Sequence, residues 1–320
     1  MRILVVGAGA IGGYFGGRLL QSGRDVTFLV RPRRAAELAD AGLIIKSPRG
    51  DVTLRQPATI LSDNIREPFD LVLLSCKAYD LNGAMDSVFP AIGPETMILP
   101  LLNGMRHLDM LDERFGRSHV LGGLFVIAAT LNEQHAVIHL NNIHTLSFGE
   151  RDRCLSDRTR TVASTMADAG FDARLSEDIV QDMWEKWVFL AALAGVTCLM
   201  RAPIGDIVAS PGGNDLTLSF LEECRAIAED GGHAPRAAFL DQTRATLTAK
   251  GSSFTASMLR DMEGNARIEA DHIVGDLLRR RNPADANRSE LSLLATAYTH
   301  MKAYEARRAS ALASAPRAGN

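Results

Sequence analysis

Cysteine is scarce in this 320-residue sequence: Cys76, Cys154, Cys198 and Cys224 are scattered, with no C-x-x-C pair and no Cys/His pair at metal-ligand spacing. That excludes a disulfide scaffold, and the 8 histidines show no metal spacing either, so no metal is assigned. Positive charge is not in excess. With 35 Lys and Arg against 38 Asp and Glu, the net charge of −3 argues against a general nucleic-acid binder. Apolar runs are short. The most apolar, Trp187 to Met200, falls below the roughly 18–20 residues that span a bilayer, and Lys186 and Arg201 bracket it. It is expected to be a buried core helix, and no basic amphipathic stretch offers a membrane anchor. The opening Met1-Arg2-Ile3-Leu4-Val5-Val6 runs straight into glycines without a charged leader, which fits a strand better than a secretory signal. Reduced thiols in the cytoplasm are the expectation.

What is present is ordinary globular material, 46% hydrophobic and 23% charged, enough for about two domains. The first half alternates short apolar runs with helical patterns. Ile3–Val6, Val26–Val30, Leu71–Ser75 and Met97–Leu101 are continuous Val/Leu-rich strands, the pattern of parallel strands covered on both faces. A helix is expected over Ile11–Gln21. Leu43–Ile45 and Val52–Leu54 flank Pro48-Arg49-Gly50-Asp51 as a hairpin, and Val137–Leu140 and Thr145–Phe148 are two further strand signals. Beyond about residue 175 only helical patterns remain: Asp182–Met200, Asp215–Asp230, Arg236–Thr248, Thr255–Met262, Ile268–Arg280 and Ser289–Arg308. The expected organisation is an α/β domain over residues 1–175, an all-helical domain over 176–308 and a disordered tail over 309–320.

Gly7-Ala8-Gly9-Ala10-Ile11-Gly12 is G-x-G-x-x-G, directly after a strand and opening a helix. The three glycines permit a tight turn, close approach of backbone to a pyrophosphate, and close helix–strand packing. The helix N-terminus adds unpaired N–H groups for the anion. The alternative is a glycine turn with no ligand. At the end of the second strand, where an NAD site places an acid, the chain has Val30-Arg31-Pro32-Arg33-Arg34. Guanidinium groups there suit a ribose 2′-phosphate, favouring NADP with Arg31 as the foremost candidate; an ordinary basic surface turn is the alternative.

Lys186, in Trp184-Glu185-Lys186-Trp187, stands at the front of an otherwise apolar helix. Partial burial lowers a lysine pKa and makes it a proton donor near neutral pH. A snorkelling lysine with a wet ammonium is the competing reading. Glu269 and Ser257 are unremarkable alone. Along one continuous helix their separation would place them roughly 18 Å and about 120° apart, so a shared site requires a break, for which Gly264-Asn265 is the place. Asn103-Gly104 and Lys77 fall at the carboxyl edge of the sheet, where open α/β folds bind ligands; an Asn-Gly turn and a surface lysine are the plain alternatives.

Taken in order, these residues resemble the ketopantoate reductase family (2-dehydropantoate 2-reductases). The likeness is carried by Gly7–Gly13, an Arg closing the second strand, Lys77, Asn103-Gly104-Met105, Trp184-x-Lys186, Ser257-Met258-Leu259-x-Asp261 and Glu269-x-Asp271. It implies a Rossmann-type NAD(P)-binding domain, a helical domain and a small 2-oxo acid in the cleft between them. It implies NADPH held by Gly7, Ala8, Gly9, Ala10, Ile11, Gly12, Arg31, Lys77 and Asn103. Lys186 would protonate the 2-oxo oxygen, Glu269 would orient the lysine or the substrate hydroxyl, and Asn103 and Ser257 would contact substrate. A homodimer is expected by the same analogy. Leu190, Ala194, Ile204 and Phe254 stand where the family carries asparagine. That departure opens a second expectation, a reductase of a less polar 2-oxo acid. A non-catalytic NADP sensor is the reading from another class, opposed by the retained Lys186, Ser257 and Glu269.

Overall fold

The structure, a computed structural model, describes residues 1–282 and 292–314. The chain divides into two compact units, Met1–Met183 and Trp184–Asn320. The division falls inside a helix, a few residues beyond the boundary at 175 expected from the loss of strand signals.

The first unit is built on five parallel strands in the order β5-β2-β1-β6-β7. These are β1 (Arg2–Val6), β2 (Asp25–Leu29), β5 (Thr59–Ile60), β6 (Leu71–Leu74) and β7 (Met97–Pro100). β6 and β7 are buried at every residue, and β1 at every residue after Arg2, which is why their sequences are continuous apolar runs rather than alternating ones. From β1 the chain builds outward to β2 and β5, then crosses back to add β6 and β7 on the other side. The reversal lies between β1 and β6.

A second sheet was not foreseen as a separate layer. It joins β3 (Leu43–Lys46), β4 (Val52–Leu54), β8 (Gly122–Leu131), β9 (Val137–Gly149) and β10 (Asp172–Leu175), with β3 parallel to β9 and antiparallel to β4. The two strand signals at 137–140 and 145–148 are parts of the single long strand β9. Its exposed stretch from Leu140 to Ile143 interrupts the apolar pattern without ending the strand.

Helix α1 (Ala10–Gln21) packs between the two sheets. Gly12 and Gly16, one turn apart, line the side toward the first sheet, and Gly13 and Gly17 the side toward the second. A Cβ on Gly16 would come within 2.8 Å of the Phe28 ring and 2.9 Å of Val5, and one on Gly17 within 2.7 Å of Ile45. Tyr14 and Phe15, between those glycines, are fully buried. Tyr14 meets His144 of β9, hydroxyl to Nδ1 at 2.7 Å.

The second unit is helical, as expected. Its leading helix α6 (Ile179–Met200) begins in the first unit, and the most apolar stretch of that helix is 72% buried. α8 (Gly213–Asp230) packs on α7 (Ile204–Ala209), on α9 (Ala237–Leu247) and on the last described helix, Leu293–Ser314. Gly195 lets α6 approach α8: a Cβ there would sit 2.8 Å from the Phe220 ring. The last helix continues past Arg308, into the stretch expected to be a tail. The start expected for it at Ser289, and residues 315–320 of the expected tail, lie outside the described residues.

Candidate active site

Strand register aligns Leu29, Val6, Leu74 and Pro100 in one row across β2, β1, β6 and β7. Just beyond that row, at the carboxyl edge, come Arg31, Gly7, Lys77 and Asn103. The anticipated nucleotide-side residues are therefore gathered at the switch point of the sheet, where open α/β folds bind ligands.

The three glycines of the turn do different things. Gly7 has φ +92°, a conformation that disfavours any side chain, and its N–H donates to the Leu29 carbonyl at 2.9 Å. Gly12 is sealed against the sheet: a Cβ there would lie 2.1 Å from Ser75 Oγ and 2.3 Å from the Gly7 carbonyl. Gly9 is under no such demand. Its φ is −83°, and a Cβ would meet nothing within 4 Å. Gly9 is the N-cap of α1, no side chain caps that end, and the first turn of α1 holds no acid. A glycine that packing does not require, set at an uncapped helix start, fits a pyrophosphate lying against the backbone.

Two residues that hold this turn were not anticipated in that role. Ser75 Oγ donates to the Val6 carbonyl at 2.8 Å. Arg34 Nη2 donates to the Ala8 and His135 carbonyls, both at 3.1 Å. Nothing in the sequence distinguished Ser75 from any strand-end serine. Arg34 carried a signal, as one of three arginines, but for another purpose.

Those three arginines are not equivalent. Arg34 is largely buried, tied to the turn and paired with Glu37 at 3.2 Å. Arg33 pairs with the same carboxylate at 3.0 Å. Partial desolvation works to raise the Glu37 pKa, but hydrogen bonds from His135, Arg34 and Arg33 outweigh it and draw it down to about 2. Arg31, the N-cap of α2 (Pro32–Ala41), has its side chain 82% exposed, with Nη2 3.5 Å from Asp80. Lys77 is exposed at the start of the 3₁₀ turn Ala78–Asp80, and half-buried Asn103 lies in the loop between β7 and α4 (Arg106–Phe115).

In the second unit, α6 already starts at Ile179, so Lys186 is two turns inside the helix rather than at its front. Its neighbours are rigidly placed. Glu185, 4% exposed, accepts from the Arg236 backbone N–H at 2.7 Å and from Nε at 2.8 Å. Trp187 is 1% exposed and donates its indole N–H to the Ile273 carbonyl at 2.8 Å. The Trp184 ring stacks on His233 at 4.9 Å. Lys186 itself is half-buried. Removal from water draws its pKa down to about 7, with the charge of Glu269 acting in the opposite direction.

The break required between Ser257 and Glu269 is present. α10 (Ser257–Glu263) stops at Gly264, Asn265 adopts φ +52°, and the Ala266 N–H donates back to the Asp261 carbonyl at 2.8 Å. The helix expected over 268–280 is not uniform. After Ala270 the backbone widens into a π turn, Asp271–Gly275, before α11 (Asp276–Arg279). Asp271 is held by Tyr298 Oη at 2.5 Å and Lys302 Nζ at 3.1 Å, so this acid has a structural task. Ser257 is exposed as the first residue of α10. Of the positions where asparagine was expected, Ala194 and Ile204 are buried and Leu190 is half-buried. Phe254, exposed, has its ring stacked 6.1 Å from that of Phe189, three residues beyond Lys186.

Comparison with known proteins agrees with this layout. Residues 3–153 match the model of the ketopantoate reductase PanE/ApbA family, and residues 178–305 match the model of its C-terminal domain. A Bacillus subtilis (strain 168) protein described as uncharacterized oxidoreductase YkpB is 36% identical over 308 residues, covering 96% of this chain and 99% of that protein. The crystal structure of a 2-dehydropantoate 2-reductase from Geobacter metallireducens GS-15 superposes with a TM-score of 0.84 at 27% identity, covering 95% of this chain and 99% of the other. A D-mandelate dehydrogenase solved with NADH and anilino(oxo)acetate shares the fold, with a TM-score of 0.82 at 19% identity over 97% of this chain and 100% of that one. The chain belongs to the ketopantoate reductase family, and it is a nicotinamide-dependent 2-oxo acid reductase.

Proposed function

We propose that this protein reduces ketopantoate to pantoate with NADPH, using Lys186 as the general acid. The observation that carries the reading is the placement of Lys186: half-buried on helix α6 between anchored Glu185 and Trp187, with its pKa lowered by burial and the charge of Glu269 opposing that shift. The glycine turn and the start of α1 would hold the pyrophosphate, Arg31 the ribose 2′-phosphate, and Lys77 and Asn103 the same edge of the sheet. When bound, the dihydronicotinamide supplies a hydride to C2 of the oxo acid.

As C2 gains that hydride, its carbonyl π pair moves to oxygen. Lys186 places an N–H against the developing alkoxide, stabilises its charge and releases a proton to it, forming the hydroxyl. The lysine is left neutral and recovers a proton from water. Glu269 favours the charged lysine before the reaction and restricts its orientation. Ser257 would offer a hydroxyl to a substrate oxygen. The reaction balances with one hydride and one proton added across C=O.

One observation favours a second reading, a less polar 2-oxo acid. Phe189 lies on the helix of Lys186 and stacks on Phe254 in the loop leading to Ser257, and Leu190, Ala194 and Ile204 add no hydrogen-bonding side chain. A pocket made to bind a substrate hydroxyl discriminates strongly through such groups, by about 10⁴–10⁵ where they are buried.

The deciding experiment follows NADPH oxidation at 340 nm with ketopantoate and a panel of 2-oxo acids of graded size and polarity, with Lys186→Ala as control. Lysine-dependent turnover highest on ketopantoate supports the first reading, and highest on an apolar oxo acid supports the second. Turnover that survives Lys186→Ala refutes the mechanism. Bound NADPH with no turnover on any substrate would favour a non-catalytic sensor.

A further inference from the structure

The three arginines after β2 make the adenosine end of the site look strongly basic in the sequence, yet their partners answer most of that charge. Arg33 and Arg34 share Glu37. Arg31 faces Asp80, which belongs to the turn after β6. Because β2 and β6 flank β1, the Arg31–Asp80 contact joins the two strand ends on either side of the glycine turn. A dinucleotide fold that takes NAD usually supplies an acid from the end of β2 to receive the ribose 2′-hydroxyl. Here an acid reaches the same corner from the end of the neighbouring strand.

We infer that Asp80 is a cofactor-specificity residue that lets this enzyme take NADH alongside NADPH. The inference rests on the proposed meeting of Arg31 with the 2′-phosphate. A 2′-phosphate arriving at Arg31 brings nearly two negative charges beside the Asp80 carboxylate, so part of what Arg31 contributes is offset by repulsion from Asp80. The neutral 2′-hydroxyl of NADH meets no such repulsion and can donate to the carboxylate. Lys77, three residues before Asp80, keeps the corner positive overall, so NADPH is still accepted. Arg31 thus favours one cofactor and Asp80 the other.

The test is calorimetric titration of the full chain with NADPH and with NADH, needing no turnover, for wild type, Asp80→Asn and Arg31→Ala. Wild type is expected to prefer NADPH by about tenfold or less, and Asp80→Asn to widen that ratio about fivefold or more, by tighter NADPH and weaker NADH. Arg31→Ala is expected to narrow it. A ratio that Asp80→Asn leaves unchanged while Arg31→Ala narrows it overturns the role of Asp80 and leaves the 2′-phosphate assignment standing. Equal weakening of both cofactors by Arg31→Ala removes that assignment, and the inference with it.

Discussion

Trp187 donates its indole N–H to the main-chain carbonyl of Ile273 across 2.8 Å, with the ring fully buried. The residue beside Lys186 is thereby pinned to the π turn that begins two residues after Glu269. The bond fixes lysine-bearing helix and glutamate-bearing segment relative to each other through an indole-to-carbonyl contact, not through the reacting groups.

Removing that bond should cost stability. Trp187→Phe keeps most of the apolar ring but leaves a buried carbonyl without this donor, a loss of about 1–3 kcal/mol. Urea denaturation followed by circular dichroism should show the lower midpoint, while affinity for NADPH stays near wild type because the residues proposed to hold the cofactor belong to the first unit. An unchanged midpoint would mean that another donor or water replaces the indole.

The general-acid role proposed for Lys186 predicts a pH dependence. A general acid must be charged to act, and its pKa is drawn down to about 7. kcat/KM should therefore be maximal below that value and fall as pH rises through it. Lys186→Ala should lower kcat by about 10²–10⁴. Glu269→Gln removes the charge that holds the lysine pKa up, so the alkaline fall should move to lower pH. A limb that stays in place would show that Glu269 does not act on Lys186.

Two glycines of the turn should separate binding from folding. Gly9→Ala adds a Cβ into open space at an ordinary φ, so thermal stability should hold while NADPH affinity falls about tenfold or more, the pyrophosphate being kept off the backbone. Gly12→Ala puts a Cβ 2.1 Å from Ser75 Oγ and should cost about 1–3 kcal/mol of stability before any ligand is added. Thermal melts and calorimetry on the pair would distinguish them, and parallel losses in both assays for Gly9→Ala would remove the ligand-facing role assigned to it.

His144 gives the first unit an acid sensitivity. Burial lowers its pKa from 6.5, repulsion from Arg49 adds to this, and Asp172 opposes it. The unfolded chain then takes up a proton at a pH where the folded chain still refuses it. Stability is full above 6.5 and declines as pH falls through the range below it. His144→Gln keeps a partner for the Tyr14 hydroxyl and should flatten the fall in Tm between pH 7 and pH 5. If the slope is unaltered in that variant, other groups govern the acid loss.

Local features were legible without coordinates. The G-x-G-x-x-G turn, the apolar strands β1, β6 and β7, the hairpin of β3 and β4, and the helix stop at Gly264-Asn265 depend on residues within a few positions of one another. The stop in particular turned a condition for bringing Ser257 and Glu269 together into an observed backbone turn. Less was legible in the helical unit, where the start of α6, the π turn and the extension of the last helix to Ser314 depend on packing that propensity does not report.

By itself the sequence determined a dinucleotide-type glycine turn and the family that its ordered motifs resemble, because both are carried by short segments. Only the tertiary structure decided what each charge does. Arg33 and Arg34 are neighbours of Arg31 in sequence, yet they answer to Glu37, while Arg31 answers to Asp80 from a strand far along the chain. The desolvation of Lys186, the anchoring of Trp187 on Ile273 and the joining of β3 to β9 into a second sheet are likewise contacts between distant residues. Composition and periodicity cannot encode such pairings one by one, because a charge or an indole N–H takes its energy from whichever partner the folded chain brings within reach.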